Sequence, residues 1–369
     1  MIRILHIVHA LTRGGGLSNF LMNYYKNIDR TKIQFDFVYF KESENNFIDD
    51  IEQMGGKVYK WKEPSLDFGF VKAANIFFEV HKNDYKAIHC HALFSVAAYG
   101  KIAQKYGIKV IAHSHSTFLS SNGFFKKIRN YYFLKKASKL CDCKLACSKA
   151  AAIFMFGEKA YKKGEVLIVN NAIQLKRYLF NLSTRIKTRK ELGFDDATLV
   201  IGHVGGFTKA KNHNFLIDVF SQYHCKNRNS ALILLGGDGI ASGSTLNCII
   251  ERVNQEHLKD SVYFLGVRSD VDNLLMAMDC FVFPSIAEGL GISLVEAQSS
   301  GLKCIVSASV PDDAIVSNNT IKLPLRNAEM WSREIEYTNI DNRFVDFSQF
   351  QKFDIDFQTT ILEQFYLSL

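Results

Sequence analysis

The stretch TLVIGHVGGFTKAKNHNFLIDVF, residues 198–220, decides the fold. It reads as a strand of nearly continuous apolar residues, then a glycine turn, then a helix whose apolar residues recur at helical spacing. A strand closed by glycine and followed at once by a helix opens an α/β unit. The position of this stretch gives it its weight. The chain has already begun once in the same order, with the strand-like IRILHIVHAL at 2–11 and the glycine-led helix TRGGGLSNFLMNYYKNI at 12–28. Residue 198 is therefore a restart, and a chain of 369 residues is long enough for two domains.

Between the two starts, strands and helices alternate. IQFDFVYF (33–40), KAIHCHA (86–92), KVIAHSHS (109–116), CKLACS (143–148) and VLIVNNA (166–172) read as strands. FSVAAYGKIAQKYG (94–107) and KAAAIFMFG (149–157) read as helices. After residue 198 the strands ALILLGGDG, SVYFLGV, CFVFPS and KCIVSA follow, with the helix GISLVEAQSS ending at Gly301. Such alternation predicts parallel sheets covered by helices on both faces. The boundary falls near residues 175–195, where QLKRYLFNLSTRIKTRKELG reads as a linker and a first helix. The expected domains are 1–178 and 179–349. The amphipathic tail FDIDFQTTILEQFYLSL supplies a last helix over about 350–369. Ligands of doubly wound units bind at the carboxyl ends of the strands, and two such units facing one another make a cleft.

Composition narrows the function. The chain is 47% hydrophobic and 22% charged, with only 4 prolines, which fits an ordered globular protein. No run reaches the roughly 18 apolar residues of a membrane helix. The start MIRILHIVHA has two histidines in a short apolar run and no small-residue cleavage site, so it reads as a buried strand and not as a leader. The 8 cysteines show no zinc or disulfide spacing, which points to reduced thiols in a cytoplasm. Residues 1–180 hold 28 Lys and Arg against 14 Asp and Glu, whereas the remainder holds 17 against 23. The basic half is the one to meet an anionic partner. Residues 122–140, NGFFKKIRNYYFLKKASKL, mix aromatics with basic side chains and contain no acid. They read either as a helix lying on an anionic membrane surface or as a solvated helix packed on its own domain. No nucleic-acid recognition module accompanies them.

AEGLGISLVEAQSSG, residues 287–301, carries two glutamates, Glu288 in a glycine-containing turn and Glu296 inside the helix that follows. Taken alone, the pair reads first as a helix cap and a solvated acid, because short motifs match by chance. In its setting it resembles the signature of the family 4 glycosyltransferases, which have two Rossmann-like domains in the GT-B architecture. RGGGLSNFLMNYYKNID, KLACSKAAAIFMFG, VGGFTKAKNHNFLIDVF, LILLGGDG and VYFLGVRSDVDNLLMAMDCFVFPS resemble that family in the expected order. The resemblance is to members that assemble capsular or extracellular polysaccharide.

The resemblance implies a retaining transferase that uses a nucleotide diphosphate sugar, UDP-linked, and needs no metal ion or other cofactor. It implies that the C-terminal helix returns to the N-terminal acceptor domain and that residues 179–349 bind the donor. The donor site would comprise Gly205, Gly206, Lys209, Lys211, Val267, Arg268, Glu288, Gly289, Leu290, Gly291, Ile292, Ser293 and Glu296, with Gly14, Gly15 and Gly16 from the first domain. Lys211, His115 and Glu288 would be the catalytic side chains. The chemistry agrees with these roles. Amides at a helix start suit a diphosphate. A carboxylate such as Glu296 suits ribose hydroxyls. A lysine neutralises a leaving group.

Two departures stand out. The family arginine before the phenylalanine is Gly206 here, with Lys209 close enough in the loop to replace it, and Leu17 and Ser18 stand where an acid is usual. The pairs His89/His91 and His113/His115 invite a metal reading, but no carboxylate cluster accompanies them. His115 is matched to the donor sugar, and the other three are read as cleft-lining or hydrogen-bonded residues. The acceptor would be a saccharide, carried on a lipid, at the inner face of the cell membrane. Two other functions share the fold. One is a non-catalytic partner subunit, which would not hydrolyse a UDP-sugar. The other is a sugar-nucleotide epimerase, whose product would keep its nucleotide.

Overall fold

The apolar runs form two wholly parallel sheets, one in each of two units. The computed structural model describes residues 1–369 except Gly14 and residues 64–66, 116–133, 238–243 and 339–342. The first unit is Met1–Ala172 together with Ile355–Leu369, and the second is Ile173–Asp354.

The first unit contains β1 (Ile2–Ile7), β2 (Ile33–Tyr39), β3 (Val58–Lys60), β4 (Ala87–Cys90), β5 (Lys109–Ser114), β6 (Cys143–Ala146) and β7 (Val166–Ile168). Their order across the sheet is β3-β2-β1-β4-β5-β6-β7. The second contains β8 (Leu199–Val204), β9 (Ser230–Leu235), β10 (Val262–Gly266), β11 (Cys280–Phe283), β12 (Lys303–Ser307) and β13 (Thr320–Leu323), ordered β10-β9-β8-β11-β12-β13. In each sheet the chain builds outward from its first strand and then crosses to the other side. This places a switch point between β1 and β4, and another between β8 and β11, where open α/β sheets bind ligands.

Both faces of each sheet are covered, which is why the strands read as continuous apolar runs. In β8, Val200 packs with Ile233 and Phe281 on one face, while Ile201 packs with Leu232 and Val282 on the other. In β1, Ile4 faces Phe35 and Ile111, and Leu5 faces Ile88 and Val110. Each such fully buried side chain contributes about 1.5–3 kcal/mol over its exposed state.

The unit boundaries lie at Ala172–Ile173 and Asp354–Ile355, where the sequence reading has 178–179 and about 350. Packing explains the shift. Ile173 N donates to Phe353 O over 2.9 Å, and Ile173, Leu175, Tyr178, Phe350 and Phe353 are all buried in the second unit's core. The polar stretch after Gln174 holds the helix Leu182–Leu192, capped by Asn181 and ended by left-handed Gly193. The last helix, Ile355–Leu367, buries Ile355, Leu362 and Tyr366 in the first unit's core.

Candidate functional site

The second unit assembles most of the expected donor residues at the carboxyl ends of β8 and β11. The helix Ile292–Ser299 starts at Gly291, whose φ of 82° lies in the left-handed region. A Cβ there would sit 3.2 Å from the Phe283 ring, so glycine meets both a backbone and a space requirement. No side chain caps this helix start, and its first turn holds no acid. Its first amides thus keep their donor capacity, and the helix dipole adds partial positive charge. Leu290, Gly291 and Ser293 are buried, while Gly289 and Ile292 are half-buried.

Lys211 reaches this loop from the β8 side. It ends the short 3-10 turn Lys209–Lys211, and Asn212 takes a left-handed φ of 56° before the helix His213–Lys226. Lys211 Nζ donates to Glu288 Oε1 over 2.7 Å and stands 4.5 Å above the Phe283 ring. Both partners of this ion pair are largely enclosed. The lysine stem lies against Gly205, where a Cβ would be 3.1 Å from Lys211 Cδ and Cε. Gly236, at φ 148°, lets the β9 loop touch the backbone of Gly205; a Cβ on Gly236 would fall 2.1 Å from Gly205 O. At Gly206 a Cβ would lie 3.3 Å from Gly237 O, so this chain's glycine suits a closely stacked pair of loops.

Glu296 is half-buried and accepts a 2.9 Å hydrogen bond from the Tyr178 hydroxyl. Burial pushes its carboxyl up to about 7, against the opposing pull of the Tyr178 hydrogen bond and of the Arg177 guanidinium. Arg177 is itself bound through two nitrogens to Asp272, at 3.2 and 3.0 Å.

Three expected donor residues stand apart from this cluster. Lys209 is exposed and forms no ion pair among the described residues. Arg268 is exposed and bound through two nitrogens to Asp270, at 2.8 and 2.7 Å. Val267 is exposed, and a Cβ on Gly237 would lie 3.0 Å from its Cγ2.

In the first unit, Gly14 lies outside the described residues. Gly15 precedes the helix Gly16–Asn27, and a Cβ on it would meet Thr12 O at 3.2 Å. Among the described residues nothing lies within 4 Å of a Cβ on Gly16, so none of them demands a glycine there. That helix start also lacks a side-chain cap and an acid in its first turn. Residues 122–133 of the basic aromatic segment lie outside the described residues as well. His115 follows β5 and is half-buried, with Nε2 2.8 Å from His91 Nδ1. His89, His91 and His113 are buried and hydrogen-bonded to other histidines or to Tyr366, and His6 of β1 joins them.

Tyr178, Phe283 and His6 escaped the sequence reading. Tyr178 lies in a stretch with linker composition, Phe283 looks like any core strand residue, and His6 interrupts an apolar run without a spacing signal.

Two parallel-sheet units of this kind, the second with an uncapped glycine-led helix beside a lysine, define the GT-B fold class. A family model described as glycosyl transferases group 1 matches residues 184–342, and one described as glycosyltransferase family 4 matches residues 14–177. A putative glycosyltransferase of Bacillus subtilis, EpsF, is 31% identical over 84% of this chain and 80% of its own length. The capsular polysaccharide biosynthesis glycosyltransferase CapH of Staphylococcus aureus is 24% identical over 100% of this chain and 99% of its own. The crystal structure of Anabaena HepE in complex with UDP and glucose superposes with a TM-score of 0.81 at 17% identity, covering both chains fully. The chain belongs to the family 4 glycosyltransferases and is an enzyme of that group.

Proposed function

We propose that the protein is a retaining glycosyltransferase that moves a sugar from a UDP-sugar to a lipid-linked saccharide in surface polysaccharide assembly. The observation that carries this reading is the uncapped helix start at Gly291, with the Lys211–Glu288 pair against it and Glu296 one turn inside. The printed name of CapH supports a part in surface polysaccharide assembly, and the UDP-glucose in the HepE complex supports a UDP-sugar donor. A galactosyltransferase of Escherichia coli that is 25% identical over 64% of this chain acts, by its name, on a diphosphoundecaprenol-linked sugar. That name supports a lipid-borne acceptor.

The geometry at Gly291, Lys211 and Glu296 supports the following roles. The amides of Ile292 and Ser293 receive the diphosphate, where the helix dipole favours negative charge. Glu296 accepts the ribose hydroxyls, with Tyr178 holding the carboxylate in place. Donor binding draws Lys211 from Glu288 onto the phosphates, which frees Glu288 to address the sugar. As the glycosidic bond lengthens, charge grows on the departing diphosphate and the sugar becomes oxocarbenium-like. Lys211 and the helix amides meet that charge, and the mechanism calls on no metal ion. Gly15 and Gly16 are assigned to phosphate or sugar contact through their amides, and His115 to a hydrogen bond with the donor sugar. Val267 supplies apolar contact to the base, and Arg268 and Lys209 lie at its edge as further cations.

Among the described residues, no helix is long and apolar enough to cross a membrane. The excess of basic residues in the first 180 supports work at the inner face of the cell membrane, on the cytoplasmic side.

A panel of nucleotide sugars tests the reading. UDP-sugars should raise the melting temperature, and one of them should be slowly hydrolysed without acceptor. The released sugar should keep the donor's anomeric configuration when followed by proton NMR. A panel in which no nucleotide sugar stabilises the protein and none is consumed would contradict it.

A further inference from the structure

Five histidines meet in the first unit, brought together by strand order. His6 of β1 and His89 of β4 are register partners, and β5, which pairs with β4, carries His113. His91 and His115 lie two residues beyond His89 and His113. The rings are in contact throughout: His89 and His91 have centroids 4.3 Å apart, and His113 and His115 4.0 Å. Five imidazoles without an acid among them are an unusual filling for a sheet end.

We propose that His91, His113 and His115 bind one transition-metal ion of the zinc class. One ring nitrogen from each lies within 4.8 Å of the others. Three nitrogens on one tetrahedral zinc ion lie about 3.4 Å apart, so small side-chain adjustments close the site.

The second ring nitrogens of His91 and His113 are already hydrogen-bonded, here to other imidazoles, as the outer nitrogen of a metal-bound histidine usually is to some polar partner. His91 Nε2 lies 3.0 Å from His6 Nδ1, and His113 Nδ1 lies 3.1 Å from His89 Nε2. His89 is held in turn by the Tyr366 hydroxyl, 2.6 Å from its Nδ1. With Nδ1 occupied, His113 has Nε2 left to give, and that atom is enclosed and, among the described residues, without a hydrogen-bond partner. A buried ring nitrogen with nothing to bond is costly unless it has a ligand. On His91 and His115 the nitrogens facing one another, 2.8 Å apart, would turn onto the ion.

An all-imidazole donor set selects zinc, cobalt, nickel or copper over magnesium or calcium. His6, His89 and His91 form a second triple within the same distance, but all three are buried. His115 is half-buried, which gives the first triple an access route and an open fourth position for water. Occupancy would also take His115 from the sugar. That consequence rests on the role proposed above, whereas the site itself does not.

The test uses the full chain without a histidine tag, stripped with chelator and titrated with Co2+ in the absence of nucleotide. One equivalent should bind and give the strong visible bands of a low-coordinate cobalt site, and Zn2+ should bleach them. His115→Asn, at a half-exposed position, should remove the bands and weaken binding more than about a hundredfold while circular dichroism is unchanged. His113→Ala should do the same. His89→Asn should weaken binding by about 10- to 100-fold and leave the stoichiometry at one. Absence of binding, or binding of wild-type strength in folded His115→Asn, overturns the proposal. Because no nucleotide is present, either result leaves the donor-site reading to its own test.

Discussion

Replacing Glu296 by glutamine should stabilise the protein while weakening its hold on UDP. Burial raises the Glu296 carboxyl from its ordinary 4.5 to about 7. The folded state therefore binds a proton more tightly than the unfolded state. Stability from this group is fully present below pH 4.5 and is lost as the pH rises toward 7. At about 1.4 kcal/mol per unit, the full loss is about 3 kcal/mol, as an order of magnitude. Glutamine has nearly the same shape, can accept from the Tyr178 hydroxyl, and carries no charge to desolvate. At pH 8, Glu296→Gln should raise the second unit's melting temperature by roughly 6–12 °C, taking about 2–4 °C per kcal/mol for a unit of this size. The gain should shrink below pH 6 and be nearly gone at pH 4.5.

Scanning calorimetry across pH reads this directly, with the second unit's transition recognised as the one that UDP shifts. UDP affinity should move the other way. The variant loses hydrogen bonds to a charged acceptor, worth about 1.5–3 kcal/mol, so Kd should rise by about 10- to 100-fold. Wild-type affinity should itself decline as pH falls below about 7, because the carboxylate must shed its proton to accept ribose hydroxyls. A melting difference that does not change with pH, or an unchanged UDP affinity, would refute the reasoning.

Three further outcomes are expected. Lys211→Ala should lower kcat by about 10²- to 10³-fold, the scale for losing one preorganised charge-stabilising group, with a smaller change in KM, as steady-state kinetics will show. Gly291→Ala forces a side chain into the left-handed region and toward Phe283, so urea unfolding should reveal a loss of about 1–3 kcal/mol, with weaker UDP binding by calorimetry. Asp279 is buried and accepts from Arg185, Arg189 and Val200 N. Asp279→Ala should therefore cost about 3–5 kcal/mol in urea unfolding, because it leaves the Arg189 charge buried beside backbone carbonyls alone.

Much of the fold was legible because a parallel sheet covered on both faces writes its strands as apolar runs, as in LVIGHV and ALILLGG. The glycine-led helix start at Gly291 was legible too, since glycine, a short loop and a regular helix are all local features. Partnerships across long separations were not. Tyr178 meets Glu296 across 118 positions, and nothing near either residue announces the other. Lys211 meets Glu288 across 77, on a path set by the β8–β11 crossing. The histidine cluster shows the same limit. Two His-x-His spacings were visible, but His6 joins them only because β1 lies beside β4 in a register no local pattern dictates. The difference between the expected boundary and that of the compact units has a related origin: Leu175 and Tyr178 look like linker residues until the core that buries them is seen.

The first unit is written in two pieces, with the whole of Ile173–Asp354 between them. On the ribosome, the second unit is finished before the first. At about 5–20 residues per second, the 182 residues between the two pieces take on the order of ten to forty seconds, and until then Phe35 lacks the Tyr366 ring that packs on it. Over that interval the apolar side chains that bury Ile355, Leu362 and Tyr366 lack their last covering element. Slowing translation between the two pieces should increase the share of chains that aggregate.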